Sequence, residues 1–129
     1  YDEVGYSYEE LKNIVATNPD TLSLEEILQA TLNEQDMNIQ LKNYNNAARL
    51  FPNDWRIKNN TGYVMYMMGD NDGASKSFED AMAITDNKIV SNNVVMFYTS
   101  MLMMCVKLAN VSPFLHIMVR LLYNLHRIQ

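Results

Sequence analysis

The chain has 129 residues, a net charge of −5 and 48% apolar residues, which suits one small domain or a piece of a larger protein. Its acidic balance excludes a general nucleic-acid-binding role, because that role needs a basic face. We expect a fragment or processed chain, since the sequence begins at Tyr1 and shows neither a signal peptide nor an apolar run of bilayer length. The single cysteine, Cys105, lies in an apolar run and is expected to be a buried, inert thiol.

Helical spacing dominates the sequence, and the alternation typical of strands is scarce. Ser7 with Glu10, and Ser23 with Glu26, have the spacing of a capping box, in which the two side chains satisfy free amides at a helix start. Proline and glycine mark the breaks between helices, and the short loops favour antiparallel hairpins. In chain order, helices are predicted at residues 8–17, 24–32, 37–51, 55–68, 71–84, 88–107 and 113–127.

Several residues recur at a spacing of 34. The recurring pairs are Tyr44 and Phe78, Ala47 and Ala81, Leu50 and Ile84, and Asn53 and Asn87. An all-helical chain with this period resembles the tetratricopeptide repeat (TPR) family. Residues 55–88 carry the resemblance best, with Thr61-Gly62 where the family has Leu-Gly and Gly69-Asp70 at the turn. Asp86 and Lys58 depart from the family, which usually has proline and tryptophan at these places.

The resemblance implies an all-α fold in which antiparallel helix hairpins stack as a short, right-handed superhelix, or solenoid. Residues 20–54 would form a degenerate repeat, with Leu28 where glycine is expected and Gln40 where a small residue is expected. Residues 1–19 would belong to a preceding or capping unit. Gly62 and Ala74 would stand where two helices of one repeat cross, which offsets the glycine's cost of roughly 1 kcal/mol in helix propensity.

A narrower resemblance concerns residues 7–93. The stretch Phe51-Pro52-Asn53-Asp54-Trp55-Arg56, followed by Asn59-Asn60, resembles the repeat region of certain bacterial cell-envelope proteins. These proteins join such repeats to an outer-membrane-protein-A-like, peptidoglycan-binding domain, which this sequence does not contain. The resemblance implies a periplasmic or outer-membrane-associated location, with a cytoplasmic location as the alternative.

Residues 89–129 fit the repeat poorly, and all fifteen acidic residues lie at or before Asp86. The sequence leaves three interpretations of this segment open. The first is a capping element, in which the helix at 113–127 lies mostly buried behind a narrow polar stripe. The second is a basic amphipathic segment that meets a membrane or a partner. The third is a tail translated out of frame, because the codons of Met101 to Leu108 in another frame can encode a repeat-like string.

The search for chemistry finds no enzyme, cofactor or metal pattern. His116 and His126 stand ten residues apart, and no Cys-x-x-Cys or paired-histidine motif occurs. Asp70-Asn71-Asp72 is similar to part of a calcium loop, but the position that needs glutamate holds Ala81. Adjacent glutamates at helix starts favour the helix dipole and serve stability. We therefore predict a protein without enzymatic activity.

A binding surface remains as the predicted function. By the resemblance, the first helix of each repeat lines a concave side that binds a peptide or protein segment. Asparagine offers both a donor and an acceptor to a peptide backbone, and tyrosine adds apolar area with a polar tip. The candidate binding residues are Arg56, Asn59, Asn60, Tyr63 and Tyr66.

Two alternatives to peptide binding stay open: a structural spacer that self-associates through its apolar tail, and a regulatory helical domain of a larger enzyme. No nucleic-acid partner is expected, and membrane contact is expected only through the tail.

Overall fold

The computed structural model describes residues 5–109 and 113–128, and within these ranges the chain is helical, with no β-strand. The all-α prediction is confirmed, and every predicted helix is present with each end within one residue of its predicted place. A one-turn 3₁₀ helix, Pro19–Thr21, is an addition. The α-helices are α1 (Tyr8–Thr17), α2 (Leu24–Leu32), α3 (Met37–Leu50), α4 (Trp55–Met67), α5 (Asn71–Ile84), α6 (Lys88–Leu108) and α7 (Pro113–Ile128).

Side-chain caps explain why the helices begin where they do. Both predicted capping boxes form: Ser7 accepts from the Glu10 amide while Glu10 accepts from the Ser7 amide, and Ser23 and Glu26 do the same. An aspartate, asparagine or serine side chain accepts amide hydrogen bonds at six of the helix starts, at Ser7, Ser23, Asp36, Asp54, Asp70 and Asn87. These acceptors satisfy amides that the first helical turn leaves free.

The chain divides into two compact units, Tyr1–Ile84 and Thr85–Gln129. In the N-terminal unit each helix packs against the next, and loops of three to four residues make α2 with α3, and α4 with α5, antiparallel. Ala74, Phe78 and Ala81 of α5 are buried. Other buried apolar side chains of this unit form one cluster, with the members Leu11, Val15, Leu22, Ile27, Leu28, Ala30, Tyr44, Ala47, Ile57 and Val64.

The 34-residue spacing is visible in the second helices of the two hairpins. α3 and α5 are both 14 residues long and begin 34 residues apart. Tyr44 and Phe78, at matching positions, are each 2% exposed, and Ala47 and Ala81 are each fully buried. The first helices match less well, because α2 has 9 residues and α4 has 13, a difference of about one turn.

The turn between α4 and α5 is built as the sequence predicts. Gly69 has a φ of 85°, a left-handed conformation that glycine adopts without strain. The Asp70 carboxylate then accepts a 2.9 Å hydrogen bond from the amide of Gly73, which holds the first turn of α5. Gly62, in the middle of α4, faces the ring of Phe78.

The C-terminal unit consists of α6 and α7, which pack against each other. Val90, Val94, Phe97 and Val106 of α6 and Val119 of α7 are buried, whereas Leu108 is 81% exposed. Among the α7 side chains that the structure describes, most apolar ones are exposed, unlike the mostly buried helix of the capping interpretation. Two expectations for this unit are wrong. Cys105 is exposed rather than buried. α6 is long and apolar enough to cross a membrane, by length and composition alone, although no bilayer-length run was expected.

Candidate peptide-binding groove

A groove of about 270 Å³ opens on the N-terminal unit, where the end of α2 meets α3 and α4. Each of the two longer helices contributes residues at positions i, i+3 and i+7, the spacing that puts side chains on one face. On α3 these are Met37, Gln40 and Tyr44, and on α4 they are Asn60, Tyr63 and Met67. Leu32 and Val64 complete the lining.

The rim of the groove is apolar and accessible, while its floor is part of the core. The side chains of Leu32, Tyr63 and Met67 are 65%, 56% and 53% exposed. Tyr44 and Val64 are only 2% and 5% exposed, and both belong to the core cluster. An accessible rim over a buried floor is suited to binding, because only the exposed side chains have to adjust to a ligand.

Two polar side chains in the groove are already held by the fold. The Asn60 side chain hydrogen-bonds the hydroxyl of Tyr44, whose pKa is raised by burial and lowered in part by that bond. The Gln40 amide donates to the carbonyl oxygens of Glu34, at 2.7 Å, and Thr31, at 3.5 Å. Gln40, which stands where the family has a small residue, therefore fastens α3 to the end of α2.

The groove contains no charged side chain, because its eight lining residues include no carboxylate, amine, guanidinium, imidazole or thiol. The hydroxyls of Tyr44 and Tyr63 are the groups in this lining that could act as a general acid or base. The lining provides no counter-ion for a charged ligand group. Within residues 5–109 and 113–128, no three His, Cys, Asp or Glu side chains lie close enough together to hold a metal ion.

Two of the five predicted binding residues, Asn60 and Tyr63, line the groove. The other three, Arg56, Asn59 and Tyr66, do not. Arg56 lies one turn before Asn60 on the same face of α4, but its guanidinium is bound to Asp54, at 3.1 Å, and to Glu25, at 2.6 Å. These two carboxylates raise the pKa of Arg56.

Asn59 and Tyr66 do not line the groove. They lie three residues before and four residues after Gly62, on the face of α4 that turns toward α5. Asn59 is 6% exposed, and its amide donates to the Asn60 side chain at 3.5 Å. A repeat pattern predicts that residues lie on one helix, but it does not tell which of two adjacent faces each residue occupies. For this reason the sequence analysis assigned all five residues to one binding surface.

Sequence reasoning missed six of the lining residues. They are Leu32, Met37, Gln40, Tyr44, Val64 and Met67. One signal was available: the i, i+3, i+7 spacing of Met37, Gln40 and Tyr44 on α3 matches that of Asn60, Tyr63 and Met67 on α4. Leu32 carries no such signal, since it enters the groove only because α2 ends there.

Compared with known proteins, the chain matches no protein-family model, and no solved structure is significantly similar. The aspartyl/asparaginyl beta-hydroxylase of Homo sapiens is 42% identical over 40 residues. This match covers 31% of the chain and 5% of the hydroxylase, so the chain spans a small part of that relative's length. The similarity concerns one short segment and does not assign the chain to a family.

Proposed function

We propose that the N-terminal unit is a non-enzymatic, tetratricopeptide-like module that binds a peptide or protein segment in the groove between α3 and α4. The observation that carries this proposal is the uncharged groove with two facing rows of side chains and an exposed apolar rim. Tyrosine and methionine suit such a surface, because tyrosine often anchors an interface and methionine adapts its shape to a partner.

The size of the groove favours a peptide side chain over a whole small molecule. Pockets for small ligands usually enclose about 300–1,000 Å³, and this groove, at about 270 Å³, lies just below that range. It has room for one or two apolar side chains of a segment that continues along the surface. The lack of charge in the lining favours an apolar anchor over a terminal carboxylate or a phosphate.

The finer parts of the proposal concern arrangement and location. The matched α3 and α5 helices support stacking of the two hairpins as repeats of a right-handed superhelix. An experimentally determined structure of the chain tests this by the rotation that relates α2–α3 to α4–α5. A bacterial cell-envelope location, as one segment of a longer protein, rests on the narrower resemblance alone, and the coding sequence on either side of residues 1–129 tests it.

A library of random peptides displayed on phage tests binding without requiring an identified partner. Peptides enriched on the wild-type chain are measured against a variant that carries Tyr63→Ala and Met67→Ala, both at the rim. The control variant carries Tyr6→Ala and Met82→Ala, which are also exposed, at 44% and 48%, but lie outside the groove. Circular dichroism confirms that all three proteins are helical.

We expect enriched peptides to share an apolar residue, to lose about tenfold or more in affinity for the groove variant, and to bind the control variant normally. Failure to enrich any peptide, or equal affinity for the two variants, would contradict the proposal. That result would leave the structural spacer as the better account of the N-terminal unit.

A second candidate is a regulatory helical domain within a larger enzyme. The observation that favours it is the short match to the human hydroxylase, in which the matched segment is 5% of a much longer chain. An enzyme domain encoded next to residues 1–129 would support this candidate. Neighbouring sequence without such a domain would contradict it.

A further inference from the structure

The two parts of the chain on either side of Asp86 carry opposite charge. Residues 1–86 hold fifteen acidic and six basic side chains, a net charge of −9, while residues 87–129 hold four basic side chains and no acidic one, a net charge of +4. The four basic residues are Lys88, Lys107, Arg120 and Arg127. A segment of 43 residues without one carboxylate is drawn toward negative surfaces and has no internal charge to offset that attraction.

The same segment exposes two apolar rows on α7. Ile117, Leu121 and Leu125 follow each other at a spacing of four, and are 55%, 56% and 59% exposed. Met118 and Leu122 form the adjacent row, 44% and 47% exposed. Neighbouring rows at this spacing form one continuous apolar face along a helix.

A polar side of α7 borders this apolar face, and a third side is buried. Arg120 and Asn124, four residues apart, are exposed on the polar side. Val119, at 3% exposure, marks the buried side, where α7 packs on α6. The exposed apolar face is therefore distinct from the surface that holds the hairpin together.

The end of α6 also exposes apolar side chains. Leu102, Met104 and Leu108 are 47%, 59% and 81% exposed. Only 22% of the most apolar stretch of α6 is buried, which distinguishes it from the core helix of a soluble domain. Lys107 is also exposed near the end of α6, so this helix end carries a cationic group as well as apolar ones.

We propose that the α6–α7 hairpin binds the surface of an anionic lipid bilayer and lies in the headgroup region with the apolar face of α7 toward the acyl chains. Basic amphipathic helices bind in this way, through apolar burial together with attraction to anionic lipids. The hairpin lies on the bilayer rather than spanning it, because α6 contains the polar side chain of Asn92, which is costly to place in hydrocarbon.

Charge distinguishes this partner from a second copy of the chain. Two copies that met through the apolar face would bring two segments of net charge +4 together. An anionic lipid surface covers the apolar rows and neutralises the positive charge at the same time. The proposal does not depend on peptide binding by the N-terminal unit.

Flotation with lipid vesicles tests the proposal on the full chain. One set of vesicles contains phosphatidylcholine alone, and the other contains equal parts of phosphatidylcholine and phosphatidylglycerol. A first variant carries Ile117→Gln, Leu121→Gln and Leu125→Gln, and a matched control carries Ile39→Gln, Met82→Gln and Ile84→Gln, exposed positions of the N-terminal unit outside the groove. A reporter variant carries Trp55→Phe and Leu121→Trp, so that its only indole lies on the apolar face.

We expect the wild type and the control to float with the anionic vesicles and to be released by high salt, whereas the α7 variant binds about tenfold more weakly. The reporter's emission should shift to shorter wavelength with anionic vesicles and stay unchanged without lipid. Equal flotation of the wild type and the α7 variant, no flotation at all, or a shift in the lipid-free reporter together with oligomers in sedimentation velocity would each overturn the proposal. The last outcome would identify a second copy as the partner.

Discussion

Gly62 of α4 lies so close to the ring of Phe78 in α5 that a Cβ atom at Gly62 would stand 2.9 Å from two ring carbons. Phe78 is 2% exposed, so its ring is enclosed and has little freedom to move aside. Sequence reasoning predicted that Gly62 lets two helices approach each other. The structure identifies the group that occupies the space as the Phe78 ring, one turn after the fully buried Ala74.

The first prediction is that Gly62→Ala destabilises the protein, although alanine is the better helix former. The substitution gains about 1 kcal/mol of helix propensity but overpacks a closed site, which typically costs about 1–3 kcal/mol. We expect a lower free energy of unfolding or no net gain, measured by urea denaturation followed by circular dichroism.

A second background provides the control for this substitution. In a chain that carries Phe78→Leu, the space beside Gly62 is larger, so Gly62→Ala should become stabilising by up to about 1 kcal/mol. If Gly62→Ala raises the free energy of unfolding equally in the wild type and in the Phe78→Leu background, the contact with the Phe78 ring does not explain why position 62 holds glycine.

The second prediction concerns Glu34, whose side chain is buried in the loop between α2 and α3. Its Oε1 accepts hydrogen bonds from the amides of Asp36, at 3.1 Å, and Gln35, at 2.9 Å, and its Oε2 lies 3.6 Å from the Lys12 ammonium. The Asp36 amide lowers the pKa of Glu34 from its ordinary value of 4.5 most, burial opposes this, and Gln35 and Lys12 lower it further.

Because the pKa of Glu34 is lower in the folded state, its carboxylate adds stability that is complete above pH 4.5 and is lost as the pH falls through the folded-state pKa. Glu34→Gln keeps an acceptor oxygen but removes the charge, so we expect a loss of about 1–2 kcal/mol at neutral pH. The loss should shrink well below pH 4.5. Urea unfolding midpoints of the wild type and Glu34→Gln, measured from neutral to acidic pH, give this loss of stability. A loss that does not change with pH would contradict a stabilising role of the Glu34 charge.

The third prediction separates stability from binding at Arg56. Its guanidinium joins α4 to Glu25 of α2, and both side chains are solvent-accessible, at 36% and 75% exposure. Arg56→Ala should therefore cost less than about 1 kcal/mol of stability. It should leave the affinity for selected peptides unchanged, since Arg56 does not line the groove.

Isothermal titration of wild type and Arg56→Ala with the same peptide measures the binding part of this prediction. Glu25→Ala is the matched variant, because it removes the same ion pair from the other helix. A large loss of affinity in Arg56→Ala alone would show that Arg56 contacts the ligand directly, as the resemblance first implied.

The helices could be read from the sequence because their ends are fixed by local chemistry. Ser7, Ser23 and Asp70 each bond amides within three residues, so the information that starts a helix lies beside it. Gly69 permits the turn after α4, because glycine adopts the left-handed backbone conformation without strain. Tyr44 and Phe78 could also be placed in the core, because a spacing of 34 fixes their equivalence.

The groove and the C-terminal unit could be predicted only in part, since both depend on which elements meet. Leu32 lines the groove as the last residue of α2, where that helix ends beside α3 and α4, and no residue near Leu32 signals this. Cys105 and Leu121 stand in apolar helices that a pattern alone assigns to a core. Burial, however, requires a neighbour on each apolar side, and a pattern does not supply one.

Methionine-methyl spectroscopy tests peptide binding in the groove most directly. The chain has ten methionines, of which Met37 and Met67 line the groove and Met82 is exposed elsewhere. With the methionine methyl groups labelled with carbon-13, titration with a peptide selected on the wild type should shift the signals of Met37 and Met67. The signal of Met82 should stay in place. Shifts confined to Met82 or to the methionines of α6 and α7, with Met37 and Met67 unchanged, would contradict the account.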